Sequence, residues 1–166
     1  MIQPRITNLQ EKKLVGIATK MSLVNNKTGL LWAQFAPKIK DIKNRVSEDK
    51  ISLQIYPTDY YANFNPTNEF TKWATVEVVN FDNKLPELNT LLLESGLYAV
   101  FDYKGSSLDT SIYEYIFFNW LPNSKYKVDN RPHFEILGNK YKNNDPNSEE
   151  EIWIPIKEKK HIGNPI

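Results

Sequence analysis

Arg131-Pro132-His133-Phe134-Glu135-Ile136 and, after a polar loop, Glu150-Glu151-Ile152-Trp153-Ile154-Pro155-Ile156 each alternate oily and polar residues. Successive side chains of a strand point to opposite faces, so the oily members mark the buried side of each segment. Phe134 and Ile136 then oppose His133, Glu135 and Leu137, while Ile152, Ile154 and Ile156 oppose Glu151, Trp153 and Pro155. If the two segments pair, Glu135, Glu151 and Trp153 are expected to share one face of a sheet. An acid beside a large aromatic ring suits a flat or cationic guest.

Outward from this pair, the chain reads as two halves with one order of patterns. The first half has a strand at Leu14 to Thr19 and a helical stretch in which Leu31, Phe35, Ile39 and Ile42 recur at spacings of four, four and three. Strand-like runs follow at Ile51 to Tyr56 and Trp73 to Val78. The second half has a strand at Leu97 to Tyr103, a helix from about Asp109 to Trp120 with Ile112, Ile116 and Trp120 on one side, and the two quoted segments. Pro37 is awkward inside a helix, because it removes a hydrogen bond and kinks the turn. The expected fold is α+β: duplicated βαββ units with pseudo-two-fold symmetry, two helices packed on antiparallel sheets, and a ligand cleft between the repeats. Repeat one spans about residues 1–80 and repeat two about 90–157, joined through Asn80 to Asn89. Residues 158–166 read as a loose C-terminal tail.

Parity in the first half leaves Gln54 and Tyr56, then Trp73 and Thr75, on the polar side of their strands. Superposing the halves places Gln54 with Glu135, Trp73 with Glu151 and Thr75 with Trp153. The candidate ligand-binding set is therefore Gln54, Tyr56, Trp73, Thr75, Glu135, Glu151 and Trp153, aromatic with a few directed polar groups as small-molecule sites are. Taken singly, a strand Trp is more often packing and a strand Glu more often a solvated charge.

Composition narrows the alternatives. In 166 residues, Lys+Arg 21 against Asp+Glu 20 leaves a formal charge of +1, which gives no field concentrated enough to expect nucleic-acid binding. The absence of cysteine removes disulfides, thiolate metal sites and cysteine nucleophiles. His133 and His161 have no ligand spacing between them, so neither a metal nor a haem or other cofactor is expected. With neither a secretory pattern nor a membrane-length apolar run, a cytoplasmic protein is expected. Ser106, Ser107 and Asp109 read as a helix cap rather than a nucleophile site. An enzyme would have to use Glu135 as general acid or base with Glu151 as partner and Tyr98 or Tyr103 as alternative proton donors. Tyr60, Tyr61, Phe64 and Phe70 could instead form a protein-interaction surface, or belong to a loop lidding the cleft.

In order and spacing, Gly96-Leu97-Tyr98-Ala99-Val100-Phe101, Trp120-Leu121-Pro122-Asn123-Ser124, Arg131-Pro132-His133-Phe134-Glu135 and Glu151-Ile152-Trp153-Ile154-Pro155-Ile156 resemble the GyrI-like, or AraC-type effector-binding, domain over about residues 1–157. Leu31-Trp32 with Phe35, and Phe70-Thr71-Lys72-Trp73-Ala74, resemble the family's first repeat. The resemblance implies a duplicated βαββ fold with a cleft on its pseudo-dyad, found alone or fused to DNA-binding modules in bacterial multidrug-responsive transcription regulators. It implies binding of amphipathic, often cationic aromatic compounds on aromatic rings near a glutamate, which Glu135 matches. Glu151 and Trp153 match the acid and aromatic of the last strand, where many relatives carry Tyr. This chain shows no DNA-binding module, so direct DNA binding is not expected. Stand-alone relatives also suggest gyrase inhibition, or hydrolysis of cyclopropane-bearing alkylating agents.

Overall fold

Period-two apolar runs become strands throughout the computed structural model, which describes residues 2–160. The strands are β1 (Arg5–Leu9), β2 (Lys12–Met21), β3 (Lys50–Ile55), β4 (Phe70–Val78), β5 (Asn89–Leu93), β6 (Gly96–Lys104), β7 (Tyr126–Val128), β8 (His133–Leu137) and β9 (Glu149–Glu158). Helix α1 (Thr28–Phe35) gives way at Pro37 to a 3-10 segment, Ala36–Asp41, so the proline ends the α-helix rather than kinking it. Helix α2 (Ser111–Tyr115) runs into a π segment, Ile116–Trp120, and a last turn, α3 (Leu121–Asn123). Asp109 accepts from the Ser111 backbone N–H at 2.9 Å, just ahead of α2.

The strands form one continuous antiparallel sheet in the order β1-β6-β9-β8-β3-β4-β2-β5, with β7 paired to the end of β9. This corrects the expectation of separate sheets. The order is palindromic when β1 is matched with β5, β2 with β6, β3 with β8 and β4 with β9. Each edge strand pairs with the opposite half: β1 with β6, and β5 with β2. The β3–β8 seam, where Ser52 faces Glu135 and Leu53 faces Phe134, lies at the centre.

Helices cover one side of the sheet, away from that seam. Leu31 and Phe35 of α1 pack on Val15, Ala74, Val76 and Val78. Ile112 and Ile116 pack on Ala99, Phe101, Ile152 and Ile154. The opposite side has a core of its own: Leu14, Ile51, Leu53, Tyr98, Val100, Phe134 and Trp153, with Leu9 and Leu93 from the edge strands.

The expected tail begins later than the sequence suggests. Glu158 still belongs to β9, the Lys159 backbone N–H donates to the Lys125 carbonyl, and Lys159 Nζ donates to the Pro122 and Ser124 carbonyls. The rest of the tail, with His161, lies outside the described residues.

Candidate functional site

Residues paired across a ladder project to one face, and the ladders sort the candidate residues into two sets. One row joins Lys72 of β4, Gln54 of β3 and His133 of β8. The next joins Ala74, Ser52, Glu135 and Ile152. Ala74 and Ile152 lie beneath the helices, so both rows are on the helix side. The row Trp73, Leu53, Phe134 and Trp153 faces the other way.

The expected common face therefore does not exist. Gln54, Tyr56 and Glu135 belong to the helix side. Trp73, Thr75, Glu151 and Trp153 belong to the opposite side, where they are structural. Trp153 stacks on Phe134 at 5.1 Å and its indole N–H donates to Glu151 at 3.1 Å. Arg5 bridges Glu151 and Asp102. The buried Thr75 hydroxyl donates to the Ile51 carbonyl at 2.8 Å. The residue match between halves also shifts: with Gln54 held against Glu135, the ladders match Leu53 with Phe134 and hence Trp73 with Trp153, not with Glu151.

The parity rule failed for a physical reason. On β2, β4, β6 and β9 the more apolar face is the one under a helix. The two helices stand over those flanking strands and leave the β3–β8 seam clear of them. The helix-side face of the two central strands is thus free to be polar, and their oily residues serve the core on the other side.

At the seam, Gln54 Nε2 donates to both Glu135 carboxylate oxygens at 3.2 Å, and the Tyr113 hydroxyl donates to Glu135 Oε1 at 3.0 Å. The carboxylate is held from β3 and from α2 together. Aromatic rings surround it. Tyr56 lies 4.9 Å from His133 edge-on, 4.9 Å from Phe70 and 4.6 Å from Tyr60. Tyr61, from the loop after β3, stacks on Phe117 of the π segment at 5.5 Å and lies 5.9 Å from His133. The loop of the first half thus reaches across the seam to the helix of the second. Tyr56, Tyr61, Phe117 and His133 pack on one another at ring distances of 4.9–6.3 Å. Tyr60 and Phe70 are buried, which removes them from an exposed interaction surface; Tyr61 and Phe64 remain exposed.

Sequence reasoning missed Lys72, Glu150, Tyr113, Phe117 and His133 as a group. Burial pushes the Glu150 carboxyl up to about 7, with the Glu135 charge adding to the shift and Lys72 opposing it. Burial lowers the Lys72 ammonium, against the pull of Glu135 and Glu150. Burial takes His133 down to about 3, with the Arg131 charge a smaller cause, so its ring is neutral. Burial holds the Tyr56 and Tyr113 phenols well above their ordinary value. The expected proton donors of an enzyme are tied elsewhere: Tyr98 donates to the Pro132 carbonyl at 2.8 Å and Tyr103 to the Ser106 carbonyl at 3.0 Å. Tyr56 and Phe70 also wall a depression of about 260 Å³, and Glu150 borders another of about 530 Å³ at the far end of β9. Among the described residues no group of three or more His, Cys, Asp or Glu could hold a metal ion, and no helix is long and apolar enough to cross a membrane.

Residues 2–157 match the family described as the GyrI-like small molecule binding domain. The chain belongs to that family. Three solved structures share the fold of this GyrI-like chain. SAV2435 bound to tetraphenylphosphonium is 18% identical with a TM-score of 0.67, over 93% of this chain and 94% of that one. The EcmrR C-terminal domain is 10% identical with a TM-score of 0.72, over 96% and 99%. A hydrolase encoded by lin2189 from Listeria innocua is 10% identical with a TM-score of 0.60, over 93% and 92%. No curated protein matches the chain in sequence.

Proposed function

We propose that this GyrI-like domain binds planar or delocalised amphipathic cations at the β3–β8 seam, with Glu135 as counter-charge. The observation that carries the reading is a carboxylate oriented by Gln54 and Tyr113 and set among the rings of Tyr56, Tyr61 and Phe117. A cation over such rings gains roughly 0.5–2 kcal/mol per face, and the carboxylate adds a charge that a neutral guest cannot use. Tetraphenylphosphonium, to which SAV2435 is bound, is likewise a lipophilic aromatic cation, tetrahedral rather than planar.

Calorimetric titration with a cationic rhodamine ester and its uncharged dihydro form tests this. Glu135→Gln is expected to weaken the cation by about thirtyfold or more and the neutral form by little, since removing one partner of a desolvated charge pair is costly. Glu151→Gln, on the other side of the sheet, should leave both unchanged. Equal losses for the two dyes in Glu135→Gln would take Glu135 out of the counter-charge role.

A second reading, hydrolysis of a reactive alkylating guest, is favoured by the Tyr113 hydroxyl on Glu135 and by Glu150 as a second acid that holds its proton up to near-neutral pH. Such a pair has the parts for general acid–base work. Product formed from an alkylating substrate would establish it, and stoichiometric binding with no product would discard it.

A further inference from the structure

A lysine beneath a cation site works against it, and Lys72 is such a lysine. It lies on β4 between Phe70 and Ala74, directly opposite Gln54, on the side of the sheet that holds Glu135. The residue is only 6% exposed. None of the ion pairs among the described residues includes it. Glu135 takes its hydrogen bonds from Gln54 and Tyr113, so Lys72 is not tied to that carboxylate. An ammonium held largely out of water with no hydrogen bond or ion pair is costly, a cost that the Glu135 and Glu150 charges offset only in part, and a methionine of similar length would fill the space with no such penalty. A site meant for simple monocations gains nothing from the residue.

We propose that the β3–β8 seam takes a zwitterion, in which a delocalised cation lies over Glu135 and a carboxylate or similar anion of the same molecule pairs with Lys72. This rests on the reading of Glu135 given above and adds the second pole of the ligand. Strands are spaced about 4.8 Å apart and rise about 3.3 Å per residue, and Lys72 lies two strands across and two residues along from Glu135, so the two are rooted roughly 12 Å apart. Gln54 sits between the two poles, with its amide N–H groups already committed to Glu135. The arrangement selects against purely cationic guests by like-charge repulsion and favours those that bring their own anion.

The test compares a rhodamine bearing a free carboxyl with its methyl ester, titrated calorimetrically into the full chain at neutral pH. Wild type is expected to bind the free acid about tenfold tighter, the scale of one charge-assisted hydrogen bond. Lys72→Met is expected to reverse the order, weakening the acid and strengthening the ester. Lys72→Gln, with thermal melting to check folding, gives the same comparison if the methionine variant is unstable. Equal binding of both dyes by wild type, or a preference unchanged in both variants, overturns the zwitterion. Glu135→Gln separates the two ideas. If it weakens both dyes while Lys72→Met shifts neither, the cation reading stands and the zwitterion falls. If it leaves both dyes unchanged, the counter-charge reading falls with whatever is built on it. Failure of wild type to bind either dye overturns both.

Discussion

Phe134→Ala is expected to cost about 3–5 kcal/mol of folding stability, the range for removing a large buried aromatic side chain. Phe134 is fully buried near the middle of β8, on the side without helices. Its ladder partners are Leu53 of β3 and Trp153 of β9, so it joins the two halves across the central seam. Its ring stacks on Trp153 at an interplanar angle of 18° and meets Tyr98 edge-on at 5.3 Å. Such ring pairs add roughly 0.5–1.5 kcal/mol beyond burial. Against a total of about 5–15 kcal/mol for an ordinary domain, the loss is about a fifth or more of the stability, or a fall of roughly 10 °C in Tm. Phe134→Leu keeps most of the volume and should cost much less. Urea denaturation of the three proteins measures the difference. A loss below about 1 kcal/mol for the alanine variant would mean that this face of the sheet is not a core, and the structural assignment of Trp153 would fall with it.

That assignment shows where sequence reading reaches and where it stops. The strand-helix-strand-strand order was legible from periodicity because Leu31, Phe35 and Ile39 recur every turn and Ile51, Leu53 and Ile55 every second residue. Proline chemistry marked Pro37 as a disturbance, though as a kink and not as the end of the α-helix. Glu135 stood out as an acid among apolar neighbours. What alternation could not supply was which face of β3 and β8 lies on the helix side, because both faces of a central strand have work to do. Phe134 looked like the helix-side residue and Glu135 like the outer one; the positions are the reverse. The edge strands β1 and β5 were not legible either, since each pairs with a strand of the other half and neither alternates strongly. Glu150 and Glu151 are neighbours in sequence, and strand alternation sends them to opposite faces, a split the pairing of β9 with β6 records. It sets Glu150 against Tyr103 on the helix side and Glu151 against Asp102 on the other.

Glu150→Gln is expected to stabilise the protein at about pH 8 by up to about 3 kcal/mol and to change little near pH 4. The sign follows from the direction of the shift. Burial, helped by the Glu135 charge and opposed by Lys72, holds the folded carboxyl at about 7 against an ordinary value of 4.5. Tyr103 faces it from β6, and the Tyr113 and Tyr141 phenols lie within reach of its charge. Between those two values the folded chain binds a proton that the unfolded chain has released. The stability this proton confers is full below about 4.5 and is lost as pH rises through 7, at about 1.4 kcal/mol per pH unit. Glutamine stays neutral throughout and avoids that loss. His133 runs the other way: buried and neutral, with its folded value near 3 against 6.5 unfolded, it contributes stability above 6.5 that disappears as pH falls toward 3. The two slopes offset each other between about 4.5 and 6.5, which should leave the wild-type profile nearly flat there. The Glu150→Gln profile should instead climb from acid to about pH 6.5 and then level off, showing the histidine limb without the opposing one. A bound cation beside Glu150 favours the ionised carboxyl and expels its proton. Calorimetry of cationic dye binding at neutral pH in two buffers of different ionisation enthalpy should therefore show proton release in wild type and none in Glu150→Gln. Equal denaturation profiles for the two proteins across the whole range would mean that Glu150 ionises in the fold as it does in water.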